Sequence, residues 1–108
     1  MNSFIVSIKE AVEELEKQTE QKFAVVMKHG TMSVEYFAPE EIDSQQPHLQ
    51  DELYVVVSGN SEFYRDGKII NCSTGDVIFV PAGMDHRFIN FSKDFATWVV
   101  FYGEQIGY

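Results

Sequence analysis

Cysteine is nearly missing from this sequence: Cys72 is the single thiol among 108 residues, so no intrachain disulfide can form and stability must come from a packed core. Basic residues are scarce too. Eight Lys and Arg face seventeen Asp and Glu, and the formal net charge of −9 repels phosphate backbones and anionic lipid, so neither nucleic acid nor a membrane surface is an expected partner. No stretch approaches the ~20 consecutive apolar residues that a spanning helix needs. Phe4 to Ile8 is cut short by Lys9 and Glu10 before it can resemble a secretion signal, and a cytoplasmic location is the expectation. The sequons at Asn71-Cys72-Ser73 and Asn90-Phe91-Ser92 therefore read as chance. Internal repeats, linkers and low-complexity segments are also absent.

What the chain does have is aromatic bulk. Nine Phe, five Tyr and one Trp, within a hydrophobic fraction of 44%, supply one core of single-domain size. Ser7-Ile8-Lys9-Glu10 has the spacing of a capping box, and Ile8, Val12 and Leu15 recur at helical spacing, which predicts one amphipathic helix over Ile8 to Gln18. From Phe23 onward the pattern is short β-branched and aromatic runs between Gly, Asn, Asp and Pro, the mark of an antiparallel all-β domain. Strands are expected over Phe23–Met27, Met32–Phe37, Glu52–Val57, Glu62–Arg65, Lys68–Asn71, Val77–Val80, His86–Phe91 and Phe95–Tyr102. Asp66-Gly67 is a strong type I′ hairpin signal, whereas Pro39 and Pro47 argue against strand between Ala38 and Gln50. The organisation expected is a helix in residues 1–22 packed on a closed or nearly closed barrel formed by residues 23–108.

Residue types suited to metal ligation cluster in two places. His48 and Glu52 lie within Gln45 to Glu52, and His86 follows Pro81-Ala82-Gly83-Met84-Asp85. Side chains alternate along a strand, so Glu52, Tyr54 and Val56 share one face, and His86, Phe88 and Asn90 share another. If both faces line one barrel, a carboxylate and an imidazole meet in an apolar interior, with His48 arriving from just before the first of the two strands. Two neutral imidazoles and one carboxylate on one side of a divalent ion leave positions open for water, substrate or oxygen. Fe, Mn, Ni, Co and Zn all accept such ligands, so the residues point to one divalent ion without selecting it.

These positions carry a resemblance. The motif Gly-x5-Pro-x-Gly-x2-His-x3-Asn is met by Gly75, Pro81, Gly83, His86 and Asn90, and the second half of Gly-x5-His-x-His-x3-4-Glu-x6-Gly by His48, Glu52 and Gly59. Both belong to the cupin superfamily, and the short spacer from Asn60 to Thr74 resembles that of compact single-domain cupins of the cupin-2 type. The resemblance implies an all-β double-stranded β-helix, a jelly-roll barrel, with one short N-terminal helix. It implies a metal held by His48, Glu52 and His86, a small-molecule ligand or substrate, and a homodimer. It leaves open a metal-dependent enzyme, dioxygenase-like or isomerase-like, and a non-catalytic small-molecule sensor. The first motif histidine falls on Gln46 and the preceding glycine on Pro39 or Glu40. Gln46 or Gln45 is then the candidate fourth ligand or pocket amide.

Other residues have plainer readings. Tyr54, Phe88 and Asn90 are candidate pocket walls by strand parity, Asp51 and Arg87 should point outward, and His29 belongs to an exposed turn. Arg65 would meet an anionic substrate only if turned inward. Trp98, Phe101 and Tyr102 form a late aromatic cluster suited to packing or a dimer interface, and Cys72 should be a buried small apolar group.

Overall fold

The protein was analysed as a computed structural model that describes residues 4–106. One helix, α1 (Ile8–Glu16), precedes eight strands: β1 (Phe23–His29), β2 (Met32–Phe37), β3 (Asp51–Ser58), β4 (Asn60–Arg65), β5 (Lys68–Ser73), β6 (Val77–Val80), β7 (His86–Ile89) and β8 (Ala96–Tyr102). The capping box forms as its spacing predicts, with Ser7 Oγ accepting from Glu10 N–H at 3.0 Å and Glu10 Oε1 accepting from Ser7 N–H at 2.9 Å. Helix α1 ends two residues earlier than its periodicity suggests. Its last turn tightens, Lys17 N–H reaching Glu14 O and Gln18 N–H reaching Leu15 O.

The strands form two antiparallel sheets, ordered β1-β2-β8-β3-β6 and β5-β4-β7. Facing each other, they make the double-stranded β-helix that the motifs imply. Period-two alternation sends Glu52, Tyr54 and Val56 of β3, Val99 and Phe101 of β8, and His86 and Phe88 of β7 inward, where all are buried. Registers align them in rows: Glu52 opposite Phe101 and Val80, and Tyr54 opposite Val99 and Ile78. Phe63, Phe88, Phe95 and Tyr54 pack edge-on or tilted with centroids 4.7 to 5.8 Å apart, and Cys72 joins their cluster as a buried free thiol. The opposite face of the larger sheet receives α1, whose Ala11 packs with Val26, Tyr36 and Ala96.

Two turns depend on left-handed backbone. Asp66 and Gly67, at φ 48° and 84°, make the predicted hairpin between β4 and β5. Gly59, at φ 77°, carries the chain from one sheet to the other, and a Cβ there would stand 2.9 Å from the Cα of Phe95. Asn90 corrects an expectation. Its φ of 52° ends β7 at Ile89, so the parity that extended the strand to Phe91 does not apply to it.

The sheets differ in width, five strands against three. On the inner face of β1 and β2, Phe23, Glu35 and Phe37 border a cavity together with Gln45, Pro47 and His48 of the segment before β3.

Candidate metal centre

His86 stands at the first position of β7 and faces inward, 1% exposed. Its Nδ1 lies 2.8 Å from the carbonyl oxygen of Met84. A carbonyl can only accept, so Nδ1 carries the proton and Nε2 keeps its lone pair, the tautomer a metal ligand requires. That Nε2 lies 2.9 Å from Oε1 of Glu52, which is also 1% exposed. The contact has ion-pair distance without hydrogen-bond alignment, and neither Glu52 Oε2 nor His86 Nε2 has a hydrogen-bond partner among the described residues. Two buried acceptor atoms, each with an unused lone pair, are costly to desolvate unless a further group joins them.

His48 supplies the third direction. It lies on the strandless segment between β2 and β3, half-buried, with its carbonyl accepting from Gly83 N–H at 2.8 Å and its ring 4.8 Å from that of Phe101. Ligand atoms of His48, Glu52 and His86 all lie within 4.8 Å of one another. Donors about 2.1 Å from one ion stand roughly 3 to 4 Å apart, a separation close to the one observed for this set. The residues fit a divalent cation on these observations: ligand atoms of three residues within 4.8 Å, one of them a carboxylate, and two buried acceptor atoms with no hydrogen-bond partner among the described residues.

Protonation tendencies follow from burial and charge. Burial lowers the pKa of His48, aided by His86 and opposed by Glu52 and Asp43. For His86 burial also pulls downward, but the Glu52 carboxylate, the Met84 carbonyl and the charge of Asp43 outweigh it and raise the value. Tyr54 is pushed well above the usual phenol by burial and by the charges of Glu52 and Asp43, so it stays a donor.

Gln45 is the amide that reaches the cluster. Its Oε1 accepts from Tyr54 Oη–H at 3.1 Å and lies 3.2 Å from His48 Nε2, while its Nε2 donates to Asp43 Oδ2 at 2.7 Å, which fixes the amide orientation. Gln46 is exposed and makes no hydrogen bond among the described residues. Tyr54 and Phe88 are wholly internal, part of the barrel core around the cluster rather than walls of an open pocket. Asn90 is exposed and donates to Glu62, away from the histidines, for the backbone reason given above.

Asp43 is the residue that sequence reasoning passed over. Buried, it accepts from Gln45 N–H through Oδ1 and from Phe88 N–H at 2.8 Å through Oδ2, tying the His48 segment to β7. Its place in the run Asp43-x-Gln45-x-Pro47-His48 was the only available signal. Asp51 points away from the cluster and accepts from Ala82 N–H. Arg65, in register with His86, turns its Nε to Met84 Sδ, and Arg87 lies outward over the Tyr64 ring. His29 is exposed, and the late aromatics divide: Trp98 packs on Tyr36 beside α1, Phe101 on His48 inside.

Comparison with known proteins places these features in context. The sequence profile of the cupin domain matches residues 33–102. An uncharacterized protein of Streptomyces coelicolor is 39% identical over 77 residues, 69% of this chain and 73% of its own length. A structure of unknown function from Rhizobium leguminosarum superposes with TM-score 0.77 over 96% of this chain and 100% of its own, at 18% identity. An uncharacterized conserved protein with a double-stranded β-helix domain from Klebsiella pneumoniae gives TM-score 0.72 over 92% and 89%, at 20% identity. No helix among the described residues is long and apolar enough to cross a membrane.

Proposed function

Because this chain belongs to the cupin domain family, we propose that it holds one divalent metal ion through His48, Glu52 and His86 and acts on a small organic molecule as a metal-dependent enzyme. The observation that carries the reading is the convergence of three ligand atoms within 4.8 Å, two of them buried acceptors with no hydrogen-bond partner among the described residues. Bound there, such an ion supplies a Lewis acid or an oxygen-activating centre with open positions.

The chain's own groups then have definite tasks. Met84 O holds the His86 tautomer, so that Nε2 presents its lone pair. Asp43 fixes the Gln45 amide, which keeps its oxygen toward Tyr54 and His48 as a positioning group or a fourth ligand. Core rings of Tyr54, Phe63 and Phe88 exclude water behind the cluster, which strengthens every charge interaction in front of it. A homodimer is the assembly the family resemblance favours, and light scattering checks it.

Metal analysis of the purified protein tests the reading, with about one divalent ion per chain expected and His86→Ala expected to abolish it. Reconstitution under anaerobic conditions with Fe, Mn, Ni, Co or Zn identifies the ion. A turnover screen against catechols, diketones, thiols and sugar acids then separates catalysis from binding alone. A sensor raises the melting temperature with a ligand and forms no product. A chain that takes up none of these ions overturns the proposal.

A further inference from the structure

Beside the cluster, between β1, β2 and β8 and the segment before β3, lies a cavity of about 460 Å³. Small-molecule sites commonly measure ~300 to 1,000 Å³. Phe23, Phe37 and Phe101 give it an apolar aromatic wall, and His48 joins it to the metal centre. None of its walls is Lys or Arg.

Into this space β2 delivers Glu35. Its register partners are Val25 on β1 and Val99 on β8, so apolar side chains flank it on both sides. The carboxylate makes no hydrogen bond or ion pair with any described residue, and no Lys or Arg nitrogen among them comes within 4 Å. An acceptor-only group with an open aromatic cavity before it and no protein partner is matched by a cation or a strong hydrogen-bond donor arriving from outside. Aromatic rings lining the same cavity suit an ammonium by cation–π attraction, whereas an anion would meet the charges of Glu35 and Glu52 together.

We propose that this cavity is the substrate compartment of the metal centre and that Glu35 is its specificity-determining residue, selecting a small organic amine whose apolar part lies among Phe23, Phe37 and Phe101. This rests on the preceding functional reading only in placing the cavity beside the ion. Desolvation, then repulsion from Glu52, raises the Glu35 pKa from 4.5 to about 7 against a smaller opposing pull from Lys28 on β1. That is the state of a carboxylate lacking its counter-charge.

The test is calorimetric titration at pH 8 with benzylamine, benzyl alcohol and benzoate, probes that share one ring and differ in charge. Wild-type protein should bind benzylamine about 10-fold or more tightly than benzyl alcohol, consistent with one charge-assisted hydrogen bond, and benzoate more weakly than either. Glu35→Gln should lose that roughly 10-fold advantage and keep benzyl alcohol affinity within about two-fold, with its circular dichroism unchanged. Equal benzylamine affinity in Glu35→Gln and wild type overturns the inference, as does failure of wild type to bind either neutral or cationic probe.

Repeating the titrations after chelator dialysis separates this inference from the functional reading. A chain that takes up no metal yet prefers benzylamine through Glu35 removes the metal reading and leaves this one standing. A metal-loaded chain indifferent to Glu35→Gln does the reverse.

Discussion

Two inward-facing carboxylates set the two halves of this barrel against each other. Glu52 lies where β3 is roofed by the second sheet, 1% exposed and 2.9 Å from an imidazole nitrogen. Glu35 lies on β2 and faces a cavity, with no hydrogen-bond or ion-pair partner among the described residues. Both come from the same period-two alternation, so local sequence does not distinguish them. What differs is what each one faces: Glu52 meets the imidazole of His86 across the barrel, and Glu35 meets a cavity with room for something that is not protein.

The sharpest way to break that comparison is to exchange the two carboxylates for amides. Glu52→Gln should drop metal content from about one ion per chain to below roughly a tenth, while Glu35→Gln leaves it unchanged, as read by elemental mass spectrometry. Equal losses in the two variants would mean that both acids serve one centre.

Core truncation probes the roof itself. Phe88, 1% exposed and in contact with the rings of Tyr54, Phe63 and Phe95, should lose about 3 to 5 kcal/mol of stability on replacement by Ala. Phe37, bordering the open cavity, should lose roughly half as much, because its side is already partly hollow. Urea unfolding of the two variants gives the ratio.

Asp43→Ala should cost about 1 to 3 kcal/mol in the same assay, since it leaves the buried amide of Phe88 unpaired and releases Gln45. The smallest effect belongs to Glu35 and depends on pH. Its folded pKa of about 7 exceeds the ordinary 4.5, so the folded chain binds that proton more tightly than the unfolded chain does. Stability from this group is therefore present below pH 4.5 and declines as pH rises through about 7. Glu35→Gln should accordingly gain roughly 1 kcal/mol at pH 8, discounted for solvent access to the cavity, and almost nothing at pH 4.5. A gain that does not change with pH would separate the effect from the carboxylate's charge.

Much of the molecule was legible in its residues. Strand alternation around Glu52 and His86, the turn at Asp66-Gly67 and the capping box at Ser7 are local patterns, and local geometry obeys them. Glu52 and His86 were readable as candidate ligands for the same reason, each standing on a strand whose parity fixes its face, whereas His48 lies on a strandless segment and was marked by its spacing alone. Asp43 and Glu35 were not. Asp43 matters because a strandless segment crosses to β7, and Glu35 because β2 pairs with β8 at the far end of the chain. Those are long-range pairings, and no window of sequence contains them. Asn90 failed for the opposite reason: its own left-handed backbone ended the strand one residue before the parity argument reached it.

The bond from Phe88 N–H to Asp43 has a use beyond holding the fold. It is a single backbone proton that links β7, which carries His86, to the segment that carries His48. Its exchange with deuterium requires that bond to break, so one resonance reports how often the two segments part beside the histidines, without altering either of them.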